Sequence, residues 1–210
     1  MKRLIIMTIV FVGCLQTAFA QNTIESIRKA YQGQKEEIAR MSENFPGEGT
    51  PPVYYHLHVS QNLPGTGMHH ENVRMYYGEL PSEEEGDPFP PHYLSFVSAK
   101  YNFAAREYYE EYLYDDKGQL MFIYAYTPNE ELTRMLEFRL YFAGQRLLRL
   151  DVKASGDSVS FSDPLLASSF KDVYTGTTIP EEYSEYCSIY TSWASNYLKM
   201  FEAIDNRTHL

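Results

Sequence analysis

The sequence is poor in the groups that cross-link a chain or attack a substrate. It has two cysteines, Cys14 and Cys187, and one tryptophan in 210 residues. Cys14 falls within an N-terminal stretch that reads as a targeting segment, so the mature chain is expected to keep one thiol and no internal disulfide. An exported domain of that kind must be held by its core. Basic residues are scarce too: 18 Lys and Arg stand against 28 Asp and Glu, for a net charge of −10. That balance argues against nucleic acid, whose affinity comes mainly from Lys and Arg neutralising phosphates, and against adsorption to anionic lipid. Past the N-terminus no apolar run approaches the roughly 20 residues of a bilayer-spanning helix. There is no Gly-x-Ser-x-Gly elbow, no His-Glu-x-x-His, no phosphate-cradling glycine loop and no dinucleotide fingerprint. Nothing points to an ordinary hydrolase, kinase or dehydrogenase.

The N-terminal stretch is "MKRLIIMTIVFVGCLQTAFA". Lys2 and Arg3 form a basic start, Leu4 to Val12 an apolar run, and Ala18-Phe19-Ala20 a small-x-small cleavage site. The expectation is a signal peptide over 1–20, a single mature domain over 21–210, and export to the periplasm or beyond. The competing reading is lipid anchoring at Cys14, because Phe11-Val12-Gly13-Cys14 resembles a lipobox.

Periodicity supplies the architecture. Ile24, Ile27, Tyr31, Ile38 and Met41 recur at helical spacing and predict an amphipathic helix from Asn22 to Asn44. A Pro/Gly-rich linker, Pro46 to Pro52, ends it. Strands follow at Val53–Ser60, Asn72–Leu80 and His92–Tyr101, with "NLPGTGMHH" as a loop and Pro81–Pro91 as an acidic, proline-rich exposed stretch. Two hairpins come next: Arg106–Tyr114 with Gln119–Thr127 around Gly118, and Leu132–Phe142 with Arg146–Lys153 around Gly144. Alternation puts Leu136, Phe138, Leu140 and Phe142 on one face and Met135, Glu137, Arg139 and Tyr141 on the other. Leu148, Leu150 and Val152 are likewise set against Arg149 and Asp151. The sheet should then have one core face and one wet face. A short helical segment is expected from Asp163-Pro164 to about Tyr174. Thr178-Ile179-Pro180-Glu181 fits a capping box, and a long helix follows with Tyr183, Cys187, Tyr190, Trp193, Ala194, Tyr197, Phe201 and Ile204 as its apolar stripe. The fold class is α+β: an N-terminal helix, a central antiparallel meander of about seven strands, and C-terminal helices packed on one face.

Together "IESIRKAYQGQKEEIARM", "NLPGTG", "KYNFAAREYYEEYLYDDKGQL" and the second glycine-turn hairpin resemble a group of uncharacterised secreted proteins of Gram-negative bacteria. The resemblance covers most of the mature chain. It implies export and a helix-plus-sheet fold, and carries no activity.

Three groups of residues invite a functional reading. Five of six histidines, His56, His58, His69, His70 and His92, fall in one stretch, and the i, i+2 pair His56/His58 shares a strand face as metal ligands would. A metal-dependent or glycan-processing enzyme built on them is the alternative reading. The carboxylates Glu107 and Glu111 share a face, but at ~3.3 Å rise per residue they stand ~13 Å apart, too far for the paired acids of a glycosidase. Finally, the tyrosines, 19 in all, crowd with acids in "REYYEEYLY". Tyrosine suits sugar or protein recognition because it offers a broad apolar face and one hydroxyl at low entropic cost. The expectation is a non-catalytic binding or accessory protein without cofactor. Its partner would be an envelope protein or a glycan, met through a tyrosine- and acid-rich sheet face. Cys187 falls on an apolar helix stripe, where a thiol serves as a small buried hydrophobe.

Overall fold

The computed structural model describes residues 23–41, 53–82, 90–131, 133–155 and 170–208. Residues 1–20 with Cys14, where a signal peptide is expected, the Pro46–Pro52 stretch, most of the acidic Pro81–Pro91 stretch and Asp163-Pro164 lie outside them. Helix α1 covers residues 23–41. Eight strands follow: β1 (Tyr54–Leu63), β2 (Gly67–Glu79), β3 (His92–Phe103), β4 (Arg106–Tyr114), β5 (Leu120–Pro128), β6 (Met135–Ala143), β7 (Arg146–Ala154) and β8 (Lys171–Gly176). Helix α2 (Glu181–Thr208) ends the described chain. Each strand pairs antiparallel with the next, so the sheet is a meander in sequence order. No helix among the described residues is long and apolar enough to cross a membrane.

The eighth strand occupies part of the segment expected to be helical up to Tyr174. Lys171–Gly176 pairs with β7 instead, Leu150 opposite Gly176 and Val152 opposite Tyr174. Val173, Tyr174 and Thr175 are β-branched or aromatic, and a sheet edge in register outweighs a first-turn proline upstream. The loop over "NLPGTGMHH" is shorter than expected. Gly65 and Gly67 turn the chain at positive φ, and β2 already begins at Gly67, which puts His69 and His70 on a strand. Helix α2 opens at Glu181, and the Thr178 hydroxyl of the expected capping box lies 3.1 Å from the Tyr174 hydroxyl.

Helices cover both faces. Under α2 lies the larger core, where Met75, Val97, Tyr112, Ile123, Phe138 and Leu150 meet Cys187, Tyr190, Ala194, Tyr197 and Phe201. The helical stripe read from the sequence is the buried one, with a difference at its middle. Ala194 points inward, while Trp193 stays 39% exposed and lies against the Tyr197 ring at 5.6 Å. On the other face, α1 sets Ile24 and Ile27 over Tyr76, Phe96, Leu113, Phe122, Tyr141 and Leu148. Each buried aliphatic side chain of this kind contributes about 1.5–3 kcal/mol. Leu148 joins α1 and not the α2 core with Leu150 because the β6–β7 register shifts between Tyr141 and Phe142. One extra residue at a bulge changes which face its side chain meets.

The face expected to be wet is therefore half covered, and "REYYEEYLY" is not a surface strand. It is β4, an interior strand of the sheet, and Glu110 to Tyr114 are all buried. One turn beside it is strained: Phe103 pairs with Arg106, and Ala104 between them takes φ 55°. In Ala104→Gly the unfolding free energy should rise by up to about 1 kcal/mol, since only the Cβ disfavours that conformation. Gly118→Ala, at φ 71°, should lower it by a similar amount, and chemical denaturation of the two variants checks both signs.

Candidate functional site

Strand register builds the site. On the α1 side a single cross-strand row runs through all eight strands: His56, Arg74, Ser98, Glu111, Tyr124, Arg139, Asp151 and Thr175. The row above it is apolar, with Tyr54, Tyr76, Phe96, Leu113, Phe122 and Tyr141, and α1 lies over that one. The row below it is again polar, passing through His58, Asn72, Lys100, Tyr109, Tyr126, Glu137 and Lys153.

Glu111 is the pivot of the first polar row. It is 1% exposed. Tyr31 and Lys35, one turn apart on α1, donate to its two oxygens, and Tyr109 from its own strand donates as well. Tyr31 is itself wedged against Phe122, with ring centroids 4.8 Å apart. Burial, then the Glu111 charge, drives the Tyr31 phenol well above its usual range, so it stays a donor. At the β5–β7 end the polar groups are arranged in pairs. Arg28 Nε donates to the Tyr141 hydroxyl at 3.2 Å, and its guanidinium sits 3.8 Å from Asp151. Arg139 lies 2.7 Å from Glu137, and the Tyr124 hydroxyl donates to the same carboxylate at 3.2 Å. Asp151 also accepts from Arg149 at 2.7 Å and from Thr175 at 2.9 Å. Between α1 and these strands lies a recess of about 400 Å³ lined by Arg28, Tyr31, Gln32, Phe122, Tyr124, Arg139 and Tyr141.

The histidines do not converge. His56 and His58 share the face with His70, and all three are exposed. His56 and His58 both approach Asn72 Oδ1, at 3.4 and 3.0 Å, while His70 is 3.2 Å from the Ser60 hydroxyl. His69, next to His70 on a strand, faces the other side and lies 2.6 Å from the Asn102 carbonyl and 3.8 Å from Glu71. His92 is held by Asp205 of α2 at 2.8 Å. Among the described residues, no three His, Cys, Asp or Glu side chains are grouped to hold a metal. A shallow recess of about 500 Å³ beside His70 and Asn72, reaching Lys100 and Glu107, is the open feature of this end.

Glu110 points under α2 and is 2% exposed. It accepts from the hydroxyls of Tyr101, at 2.8 Å, and Tyr112. Burial raises its pKa from the ordinary carboxylate value, against the pull of those two hydrogen bonds. Cys187 is buried, and burial pushes its thiol up to about 11; a thiol so protonated is inert as a nucleophile.

Neither spacing nor motif singles out the residues that build the α1-side recess. On sequence Arg139 is only a wet-face residue of a strand, and Arg28 an unmarked position of a helix. The available signal is the i, i+3 placement of Arg28 and Tyr31 beside the apolar stripe, which becomes informative only once the sheet below is known. No family model, curated protein or solved structure matches this chain.

The two buried acids should respond differently to substitution. Because Glu110 holds its proton more tightly folded than unfolded, the stability it contributes is full below the ordinary carboxylate pKa and is lost as pH rises through the raised value. Glu110→Gln should flatten the acid-to-neutral part of a curve of unfolding free energy against pH, and be the more stable protein at neutral pH. Glu111→Ala, which strands the Tyr31 and Tyr109 hydroxyls, should cost about 3 kcal/mol or more. Lys35→Ala should cost less, about 1–3 kcal/mol, because it takes the cation from the buried Glu111 carboxylate but leaves both hydroxyl donors in place. Urea titrations of the two variants and their double mutant measure both.

Proposed function

We propose that this chain is an exported, non-catalytic binding or accessory protein that recognises an envelope protein or a glycan through the tyrosine- and acid-rich face of its sheet. The observation that carries the reading is the pair of polar rows on the α1 side. Helix α1 covers the apolar row and leaves Tyr109, Tyr124, Tyr126, Arg139, Lys100 and Asn72 along open or half-open ground. Tyrosines there have hydroxyls oriented by acids, Tyr109 on the buried Glu111 and Tyr124 on the half-buried Glu137. Rings held in one orientation lose little entropy on binding. Carboxylates already engaged by tyrosine or arginine serve as struts for that surface.

Export follows from the reading of residues 1–20 as a signal peptide, and the resemblance to secreted proteins supports it.

A glycan array probed with the purified protein, with a Tyr126→Ala variant beside it, tests the face. Binding should fall at least tenfold in Tyr126→Ala and persist in Trp193→Ala, which alters the exposed apolar edge of α2. Loss in Trp193→Ala with retention in Tyr126→Ala would move the binding surface to α2 and overturn the reading.

A further inference from the structure

We infer that the recess between α1, β5 and β6 is a subsite for a sugar residue bearing a carboxylate, such as a uronic or sialic acid; this rests on the binding-protein reading above and names its ligand class. Its volume of about 400 Å³ falls within the roughly 300–1,000 Å³ of small-ligand pockets. The floor is aromatic. Phe122 and Tyr141 lie 5.0 Å apart, Tyr31 closes on Phe122 at 4.8 Å, and Tyr124 continues the surface along its strand. Phe122 and Tyr141 are buried and form the packed base, and half-buried Tyr124 is the ring left to meet the C–H face of a pyranose.

The rim carries two guanidinium groups, each tethered on one side. Arg28 is held by the Tyr141 hydroxyl and Asp151 and rides over the Tyr141 ring at 5.3 Å. Arg139 is held by Glu137 and rides over the Tyr124 ring at 5.9 Å. Their side chains remain 50% and 39% exposed, so both keep N–H groups for a ligand. A guanidinium anchored this way meets a carboxylate with two parallel hydrogen bonds and little loss of freedom.

The cations that line the recess are Arg28 and Arg139, and its lining holds no acid among the described residues. The neighbouring Glu111, Glu137 and Asp151 are each engaged by a cation or a tyrosine, Lys35 and Arg149 among them. A neutral sugar has no use for two cations on one rim. A peptide carboxyl terminus fits less well, because β5 and β6 are interior strands whose backbone groups are consumed by their neighbours. Peptide capture at a sheet relies on a free edge.

Isothermal titration of the purified protein with glucuronic acid and N-acetylneuraminic acid tests this, with glucose, N-acetylglucosamine and inorganic phosphate as comparators. One of the two acids should bind at least tenfold more tightly than either neutral sugar. Arg28→Gln and Arg139→Gln should each weaken that acid at least tenfold. Arg139→Lys, which keeps the charge and loses the fork, should also weaken it; unfolding midpoints matching the parent show that each variant is folded. Equal affinity for glucose and glucuronate, or arginine variants without effect, overturns the proposal. Phosphate binding as tightly as the acids would reduce the site to a simple anion site and overturns the sugar assignment. If neither acid binds while the glycan array still shows a Tyr126-dependent ligand, the subsite falls and the binding-protein reading stands; if the array is also blank, the subsite and the glycan form of that reading both fall.

Discussion

Strand β4 carries two adjacent carboxylates into the middle of an eight-stranded sheet, and much of the remaining structure answers that constraint. Successive residues of a strand point to opposite faces, so Glu110 goes under α2 and Glu111 under α1. A carboxylate taken out of water without partners is costly by several kcal/mol. Each therefore needs donors that are themselves able to live in a core. Tyrosine meets both demands, because its ring fills apolar space and its hydroxyl donates. Glu110 collects Tyr101 and Tyr112, and Glu111 collects Tyr31 and Tyr109, with Lys35 in addition. Four of the 19 tyrosines of the chain answer this burial problem.

The same arrangement ties the N-terminal helix to the sheet. Tyr31 and Lys35 reach Glu111 from α1, one turn apart, so the apolar contacts of Ile24 and Ile27 are joined by a directional clamp. Apolar burial alone would let a helix slide along a row of aromatic rings. The Glu111 clamp and the Arg28 contacts to Tyr141 and Asp151 set its position, and that position leaves the recess beside β5 and β6 open. A structural device and the proposed recognition surface thus share residues. The tyrosines that satisfy buried acids also present their rings at the edge of the covered area.

Much of this order is legible in the chain. The two glycine-turn hairpins, the alternation in β6, and the stripe from Cys187 to Phe201 all appear at the expected positions, because period-two and helical patterns report which side of an element is buried. Less is legible where two solutions satisfy the same pattern. Lys171–Gly176 is short, and only a neighbouring edge with matching register makes it a strand. Alternation in "REYYEEYLY" assigns faces correctly, yet it cannot say whether a tyrosine-and-acid face meets water or a helix, since tyrosine is at home in both. The histidines are close in sequence, but His69 and His70 face opposite sides of one strand, and His92 stands with Asp205 instead.

What the sequence determined by itself is the class of fold, the order of most of its elements and the inward side of most of them, because those depend on local periodicity and turn chemistry. The tertiary structure decided that both faces of the sheet are covered, that Glu110 and Glu111 are buried, and that Arg28 and Arg139 meet across one recess. Those facts depend on residues more than a hundred positions apart being brought together, such as Arg28 with Tyr141. No window of local sequence contains that information, because it is fixed by register between strands and by where a helix comes to rest on them.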